Sequence, residues 1–368
     1  MAVNSEMEKL VSLMDKKFGI GALREFSEDA LPVEALSTGI ASFDVASGIG
    51  GLPRGRIVEL FGPEAAGKTA IAIKVMASAQ QLAGTMPRNA SADSKPFTGR
   101  VGLLDVEHSF NPVFASEVLG LKIGKNCGFF FDQPMGGDEA LQKLEFMINS
   151  GLFDVIVIDS VAGLTTLDDQ KKDIGEQVIA GTARLMSSAL RKLVSLVSKS
   201  HTVVIFINQI REKPAVTYGS NETTPGGRAL KFYSSMRIRV AKGEGITENR
   251  NYVGHMMKLS IRKNKVAPPY TKTEVPLYYT DNNSHIVGFD TDGDLINAAI
   301  ALKLVSLRGS TYYYMDDDTG EVFIKAAGLV KFKQALYEDP SIIKRIKSDV
   351  LSQLQNEKEE AKDGSENK

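Results

Sequence analysis

The sequence predicts an α/β fold with a central, mostly parallel sheet that carries helices on both faces. Four short runs are dominated by apolar residues: 57–61, 101–104, 155–158 and 203–207. Such runs are typical of strands that are buried on both faces of a parallel sheet. Between them, segments such as 137–149 and 177–198 repeat apolar residues with a helical period. Strands that alternate with helices favour one sheet between two helical layers.

The first predicted element is an amphipathic helix over residues 5–18. Its apolar side chains recur at helical spacing, and Gly19 stands where a helix would end. Lys16 and Lys17 lie in the last turn, where positive charge suits the helix dipole. A lone terminal helix has no core of its own, so it must pack on the main body or on another subunit. We assign residues 1–35 to an oligomerisation helix and its linker.

Changes in pattern divide the rest of the chain. Residues 36–274 carry the four apolar runs and form the predicted core. Within this core, residues 84–99 are polar and lack periodicity, so we expect an exposed loop there. Residues 275–355 mix short β-rich pieces with helices, which predicts a small α+β domain. Residues 356–368 are predicted to be a flexible, solvated tail.

Composition restricts the class of protein. The 368-residue chain has 44 basic and 45 acidic side chains, and Cys127 is its single cysteine. One cysteine excludes the disulfide framework of small secreted domains. We see neither a signal peptide nor an apolar run of the ~20 residues that span a bilayer, so we expect a cytoplasmic protein with no membrane partner. The net charge of −1, averaged over the chain, argues against a nucleic-acid partner and has to be tested locally.

A phosphate-binding motif lies between a predicted strand and a predicted helix. It is the segment Gly62-Pro63-Glu64-Ala65-Ala66-Gly67-Lys68-Thr69, which matches GxxxxGK[ST]. In this motif, backbone N–H groups and a helix N-terminus surround a phosphate group. The Lys68 ammonium reaches the terminal phosphates, and the Thr69 hydroxyl is a hard ligand for Mg²⁺. The motif therefore predicts binding of a nucleoside triphosphate such as ATP together with Mg²⁺.

Polar residues at the ends of two other predicted strands complete the expected site. Asp159 ends the run VIVID, where a carboxylate either caps the next helix or holds the Mg²⁺ shell; beside a phosphate loop we favour the metal role. Glu107 and His108 follow the strand VGLLD at the same predicted sheet edge. Because an ionised carboxylate accepts a proton from water at neutral pH, we expect Glu107 to activate water. We expect His108 to have a structural, hydrogen-bonding role.

Seven collinear segments resemble one family, the bacterial RecA recombinases. The segments are LSTGIASFDVASGIGGLPRGRIVELFGPEAAGKT (36–69), LLDVEHSFNP (103–112), DVIVIDSVAGLT (154–165), ARLMSSALRKL (183–193), IFINQIREK (205–213), TTPGGRALKFY (223–233) and RKNK (262–265). The resemblance implies a RecA-type P-loop ATPase core, an N-terminal helix and a small C-terminal α+β domain. It also implies a helical filament that binds single-stranded DNA, pairs it with homologous double-stranded DNA and exchanges strands.

The resemblance implies further roles around the ATP site. Glu107 resembles the catalytic glutamate of the family, alongside the phosphate-binding Lys68. Gln209 resembles the γ-phosphate sensor that passes the nucleotide state to the following loop. Lys263 and Lys265 resemble the pair that reaches a neighbouring subunit's ATP. The active site would then be complete only when subunits stack.

Three more residues gain roles from the resemblance. Phe232 resembles the aromatic residue that packs into the adjacent protomer. Phe114 stands where the family commonly has a tyrosine and would stack on adenine. Asn111 replaces a usual aspartate and would offer its amide to the edge of the base.

Residues 171–180 and 210–229 resemble the two DNA-binding loops of the family. The candidate DNA-binding residues in and beside them are Lys171, Lys172, Ile179, Arg184, Arg191, Arg211, Lys213, Tyr218, Gly226, Gly227 and Arg228. Residues 211–231 hold four basic and two acidic side chains, a local excess that suits phosphate contacts. For the arginines at 184 and 191, a solvated helix face is the alternative. The C-terminal Lys325, Lys331 and Lys333 form either a duplex-capturing patch or an ordinary charged surface.

The leading hypothesis is a DNA-dependent ATPase that acts as a homologous-recombination filament. The main alternative is a hexameric ring motor on the same core, of the helicase or branch-migration type. The N-terminal helix and the KNK segment argue against it. A RadA-type factor normally carries a four-cysteine zinc motif, which one cysteine cannot supply. A DNA-coating protein without ATP turnover is disfavoured because Glu107, Asp159 and Gln209 occur together.

Overall fold

The protein is described by a computed structural model over residues 2–19, 23, 33–91, 94–166, 181–212, 222–281, 287–315, 319–350 and 352–353. The strands in these ranges are β1 (Ala35–Leu36), β2 (Leu52–Pro53), β3 (Ile57–Gly62), β4 (Val101–Asp105), β5 (Phe129–Asp132), β6 (Val155–Asp159), β7 (Val203–Gln209), β8 (Arg211–Glu212), β9 (Glu222–Thr223), β10 (Met236–Glu248), β11 (Asn251–Asn264), β12 (Lys272–Tyr278), β13 (Gly288–Phe289), β14 (Val305–Arg308), β15 (Thr311–Met315) and β16 (Val322–Ala327).

The helices in the same ranges are α1 (Ala2–Phe18), α2 (Ala41–Ala46), α3 (Lys68–Gln81), α4 (Gly137–Asn149), α5 (Gly181–Ser200), α6 (Ala229–Tyr233), α7 (Thr291–Ala301) and α8 (Leu329–Glu338). A further helix covers 340–350. Within the described part of the chain, no helix is long and apolar enough to cross a membrane.

Nine strands form one sheet in the order β13-β12-β11-β10-β3-β7-β6-β4-β5. From β10 to β5 each strand runs parallel to its neighbour, whereas β11, β12 and β13 are added in antiparallel fashion. The four strands predicted from apolar runs lie together as β3, β7, β6 and β4. The predicted mostly parallel α/β fold is therefore confirmed, and the long β10–β11 hairpin extends it.

The core lies on both faces of this sheet, as the apolar runs predict. Successive side chains of a strand point to opposite faces. Accordingly, Val157 of β6 packs with Met76 of α3, whereas Ile156 belongs to the cluster of Leu144 from α4 and Leu190 from α5. These side chains are all buried. Strands that contact helices on both sides hold few polar residues before they end, and those that occur, such as Glu59 and Asn208, are buried and hydrogen-bonded.

Helix α1 confirms the predicted N-terminal helix and belongs to a compact unit of its own. Its last turn is closed where the Gly19 N–H donates to the Asp15 carbonyl at 2.9 Å. Apolar side chains on the helix are exposed, among them Leu13 and Phe18. The role of residues 1–35 in oligomerisation stays a prediction.

A small antiparallel sheet, β14-β15-β16, forms the C-terminal part with α7, α8 and the helix over 340–350. Tyr314, Phe332 and Ile346 are buried between them. The Ser42 N–H of α2 donates to the Asp294 carboxylate of α7 at 3.0 Å, which ties this part to the core. The nine-stranded sheet runs on through β12 and β13, so the proposed boundary after residue 274 falls inside β12. The division of the chain into domains stays a prediction.

The segment 84–99 packs more closely than the expected exposed loop, because Phe97 is buried beneath the Arg54 guanidinium, 4.6 Å from its ring centroid. Arg54 donates to the Lys95 carbonyl at 3.2 Å and forms a buried ion pair with Glu34 at 2.6 Å. Ser94 donates to the other Glu34 oxygen at 2.5 Å. Residues 94–97 and Arg54 therefore fix Glu34 at the start of the core.

Replacing Arg54→Ala is expected to lower the free energy of unfolding by about 3–5 kcal/mol, because it leaves the Glu34 carboxylate buried without its charged partner. Urea denaturation measures the change. The matched control is Lys192→Ala, which removes an exposed ion pair with Glu145 and is expected to cost at most about 1 kcal/mol. Equal effects of the two substitutions would contradict the assigned role of the buried pair.

Candidate active site and nucleic-acid interface

Four parallel strands deliver the functional side chains to one edge of the sheet. Gly62 ends β3 opposite Gln209 of β7, and Asp105 ends β4 opposite Asp159 of β6. The carboxyl ends of parallel strands in an open α/β sheet form the usual position of a ligand crevice. The structure therefore brings together residues that are up to 147 positions apart, between Gly62 and Gln209.

The phosphate loop runs from Gly62 to the start of α3 at Lys68, and both motif glycines are sterically required. A Cβ on Gly62 would lie 2.0 Å from the Val240 carbonyl oxygen, and a Cβ on Gly67 would lie 2.3 Å from Cε of Met257. Gly67 also has a φ of +86°, in the left-handed region. The strand hairpin β10–β11 thus supports the loop from behind, and the first N–H groups of α3 are left to bind an anion.

Lys68 lies inside this loop and is largely buried. Its Nζ donates to the carbonyls of Gly62 at 3.2 Å and Pro63 at 2.6 Å. Burial lowers the pKa of the Lys68 ammonium, and the nearby carboxylates of Asp159 and Glu107 oppose that shift. The Lys68 side chain is therefore held at the loop, next to acidic groups.

Thr69 and Asp159 present two oxygen ligands side by side. The Thr69 hydroxyl donates to Oδ2 of Asp159 at 2.6 Å. Burial raises the pKa of Asp159 to about 6, with smaller contributions in the same direction from Glu107 and Asp105, while the bond from Thr69 opposes it. No group of three or more His, Cys, Asp or Glu side chains suited to a metal occurs in the described ranges. A hydroxyl and a carboxylate fit a divalent cation that takes its remaining ligands from phosphate and water.

Glu107 follows β4 and points its carboxylate at the same edge. Its Oε1 accepts hydrogen bonds from the Ser160 hydroxyl and, at 3.2 Å, from Nε2 of Gln209. The predicted water-activating group and the predicted phosphate sensor are therefore in direct contact. His108, its neighbour, is exposed with a φ of +56°.

Asp105 and Ser160 also shape the site, although the sequence motifs did not single them out. Asp105 is buried and accepts hydrogen bonds from the backbone N–H groups of Ser109 and Phe110 at 3.2 and 3.1 Å. These bonds fix the turn that carries Glu107. Asp105 could have been predicted as a site residue from its position, because it ends a buried strand just as Asp159 does.

The remaining wall of the cavity comes from β11, β12 and the turn after β4. The cavity has a volume of about 360 Å³, and this wall consists of Phe114, His255, Leu277 and Tyr279. Tyr279 Oη and Nδ1 of His255 are 2.6 Å apart, and burial lowers the pKa of the His255 imidazole. Sequence reasoning found only Phe114 here, because His255, Leu277 and Tyr279 lie outside every recognised motif.

Asn111 accepts a hydrogen bond from the Phe114 backbone N–H at 3.0 Å. In this structure its side chain therefore closes the turn that carries Phe114. The two residues predicted to contact the base are thus neighbours, and one orients the other.

The KNK lysines lie at the end of β11 and contact α6 rather than the walls of this cavity. The Nζ of Lys263 donates to the carbonyls of Lys231 and Phe232 at 2.6 and 3.0 Å, and that of Lys265 donates to Phe232 at 3.2 Å. Burial, aided by Lys265 and Arg237, lowers the pKa of Lys263 to about 8. The Phe232 side chain is 69 % exposed. The structure thus places the three residues predicted to act between subunits on one surface.

The ends of both predicted DNA loops meet at the start of α5. Thr182 of α5 donates to the Leu164 carbonyl, which precedes the first loop, at 3.0 Å. Gly226 and Gly227 end the second loop with positive φ, and a Cβ on Gly227 would lie 3.0 Å from that of Ala183. Glycine at 227 therefore allows the second loop to pass close to α5.

Four predicted DNA-binding arginines lie in the described ranges, and all of them are exposed. They are Arg184, Arg191, Arg211 and Arg228. The other charged or large candidates of the two loops lie outside the described residues. They are Lys171, Lys172, Ile179, Lys213 and Tyr218.

The C-terminal lysines differ in their surroundings. The Nζ of Lys333 donates to both carboxylate oxygens of Asp290 at 2.8 and 2.6 Å. Lys325 and Arg308 instead flank the ring of Tyr313, at 5.4 and 5.2 Å from its centroid. The open face of the small sheet therefore carries two cations around an aromatic ring.

Comparison with known proteins agrees with this arrangement. The RecA N-terminal domain family matches residues 5–284. A protein RecA of Ruminococcus albus is 39% identical over 94% of this chain and 79% of its own length. Proteins RecA of Clostridium novyi and Thermus thermophilus are 38% and 39% identical over 94% of this chain, and over 91% and 93% of their own lengths. These matches do not favour the ring-motor alternative. The chain belongs to the RecA family of recombinases, which are DNA-dependent ATPases.

Proposed function

We propose that this protein hydrolyses ATP with Mg²⁺ in helical filaments on single-stranded DNA and uses them to exchange strands with a homologous duplex. The observation that carries the proposal is the contact between Glu107 and Gln209 at 3.2 Å. Gln209 is the last residue of β7 and immediately precedes the predicted second DNA loop. The carboxylate that would activate water is therefore hydrogen-bonded to the residue that immediately precedes the predicted DNA-binding loop.

The phosphate loop supports the hydrolytic step. Backbone N–H groups at the start of α3 and the Lys68 ammonium stabilise the negative charge of the phosphates. Thr69 and Asp159 would hold the magnesium ion, which supplies charge neutralisation at the phosphates. Glu107, fixed by Ser160 and Gln209, orients the attacking water and accepts its proton.

Aromatic and apolar side chains support a base subsite in the same cavity. His255 and Met257 lie on one face of β11, two residues apart, so about 7 Å separates them along the strand. Met257 packs on Gly67 of the phosphate loop. The wall formed by His255, Leu277 and Tyr279 therefore lies in the same cavity as the phosphate loop. Phe114 and Tyr279 have aromatic ring faces on which a base could stack.

The surface formed by Lys263, Lys265 and Phe232 supports a site shared between subunits. The lysines do not line the cavity of their own chain, and Phe232 exposes a large apolar ring beside them. Large aromatic side chains are enriched at protein interfaces. A head-to-tail contact of this kind generates a helical filament when it does not close.

The DNA-binding part of the proposal is supported by charge and backbone geometry. The exposed arginines at positions 184, 191, 211 and 228 lie on α5 or at the ends of the second loop. Gly226 and Gly227 give a backbone that can approach a phosphate group closely. For the homologous duplex, the face around Tyr313, Lys325 and Arg308 is the stronger candidate than Lys333, which is paired with Asp290.

Replacing Lys68→Ala is expected to reduce ATP turnover by about two to three orders of magnitude, because the site loses its charge at the phosphates. Phosphate release is measured with and without single-stranded DNA. Lys122→Ala, an exposed lysine elsewhere, serves as control and should leave turnover unchanged. Wild-type turnover in the Lys68 variant would contradict the assigned role.

A mixing experiment tests whether the site is shared. Lys263→Ala and Lys68→Ala subunits should each be inactive while Lys263→Ala still binds ATP. In an equal mixture, about a quarter of the interfaces should pair an intact phosphate loop with an intact lysine, and DNA-stimulated turnover should return to that extent. A mixture no more active than its parts would show that Lys263 does not act in the neighbour. Negative-stain images that show closed rings would favour the ring-motor alternative.

The double substitution Lys325→Ala/Arg308→Ala is expected to weaken duplex binding by the filament. The slope of the logarithm of affinity against the logarithm of salt concentration should fall by about two, one for each lost phosphate contact. Fluorescence anisotropy with labelled duplex measures this slope, and Lys122→Ala/Lys125→Ala, which removes two exposed lysines elsewhere, is the charge-matched control. An unchanged slope would assign duplex binding to another surface.

A further inference from the structure

A buried carboxylate, Glu59, lies in β3 three residues before the phosphate loop. Its side chain is fully buried and accepts hydrogen bonds from Arg237 of β10 and from Nδ2 of Asn208 of β7 at 3.0 Å. A buried carboxylate is tolerated only when such partners satisfy it. Glu59 contacts neither the phosphate loop nor the residues assigned to hydrolysis, although burying its carboxylate in the middle of the sheet is costly.

Asn208 links this carboxylate to both ends of the predicted second DNA loop. It is fully buried, and its Nδ2 also donates to the Pro225 carbonyl at 3.2 Å. Its Oδ1 accepts the backbone N–H of Gln209 at 3.0 Å. Both N–H donors and the oxygen of the amide are therefore engaged, which fixes its orientation.

The second anchor of the loop is the short ribbon β8–β9. Glu222 of β9 forms an ion pair with Arg239 of β10, with hydrogen bonds of 2.7 and 3.1 Å. Arg237 and Arg239 lie on the same face of β10, two residues apart. The base of the loop is thus attached to β10 through Glu222 and to β3 through Asn208 and Glu59.

We propose that Asn208, held by Glu59, is a positioning residue that couples the second DNA loop to ATP hydrolysis. A displacement of Pro225, at the end of the loop, moves the Asn208 amide and with it the Gln209 backbone. Gln209 in turn holds the Glu107 carboxylate at 3.2 Å. DNA at the loop would thereby adjust the group that activates water, through three consecutive hydrogen-bonded contacts. This inference rests on the proposed DNA-dependent ATPase function.

Arg237 extends the linkage towards the surface between subunits. It contacts Glu59 on one side, and its charge contributes to the lowered pKa of Lys263 on the other. The guanidinium also stacks on Phe61, 4.3 Å from the ring centroid. Glu59, in the strand that leads into the phosphate loop, is therefore connected to the second DNA loop through Asn208 and to the surroundings of Lys263 through Arg237.

The test is Asn208→Asp, which keeps the shape of the side chain but removes both N–H donors and places a carboxylate against Glu59. The ratio of ATP turnover with and without single-stranded DNA is expected to fall by about tenfold, within the range of typical coupling free energies. Affinity for a fluorescent ATP analogue is expected to stay within about twofold, because no ATP-contacting group changes. Asn208→Ser, which removes the amide without adding charge, should reproduce the effect if the aspartate variant folds poorly.

The control is Asp154→Asn. Asp154 immediately precedes β6, at the amino ends of the parallel strands and away from the proposed active site. Asp154 is equally buried and accepts hydrogen bonds from Gly99 and Thr98 at 2.7 and 2.9 Å. Its substitution should lower stability without changing the turnover ratio. The inference is overturned if the Asn208 variants keep the wild-type ratio, or if Asp154→Asn lowers it equally. Wild-type protein without any stimulation by DNA would instead overturn the proposed function itself.

Discussion

The parallel pairing of β3, β7, β6 and β4 is the constraint on which the rest of the structure depends. Parallel strands all end at the same edge, so their terminal residues form one crevice. The pairs Gly62–Gln209 and Asp105–Asp159 show this register directly. Because the strands are buried on both faces, they contain few polar positions, and polar chemistry is concentrated where they end. The phosphate loop, the proposed metal ligands and the proposed water-activating group therefore lie at the same edge of the sheet.

Charge explains how a nearly neutral chain can serve two charged ligands. Acidic groups are concentrated at the crevice, where the carboxylates of Asp159, Glu107 and Glu64 act on Lys68. Burial, with Glu107 and Asp105 nearby, makes Asp159 easier to protonate than usual. Exposed arginines lie on α5 and at the ends of the second loop. The whole-chain charge of −1 is thus an average over opposed regions, and it carries no information about the DNA partner.

Much of the site could be predicted from the sequence because its parts are local. A phosphate loop is contiguous, and an acidic residue at the end of an apolar run marks a strand tip without knowledge of its neighbours. The addition of β11–β13 to the sheet could not be predicted, because neither the RKNK motif nor the β-rich pieces after residue 275 specify which strand they pair with. His255, Leu277 and Tyr279 were missed for that reason. Segment 84–99 was expected to be exposed because its composition is polar. Its single aromatic residue, Phe97, nevertheless packs beneath Arg54.

The strand–helix alternation, the phosphate loop and the family could all be inferred from the amino-acid sequence, because these depend on local pattern and on residues adjacent in the chain. Which distant groups meet is a property of the folded chain. Glu107 contacts Gln209, Thr69 contacts Asp159, and Glu59 contacts Asn208 and Arg237. The physical reason is strand order: β7 lies between β3 and β6, and no local preference specifies which strands become neighbours in the sheet.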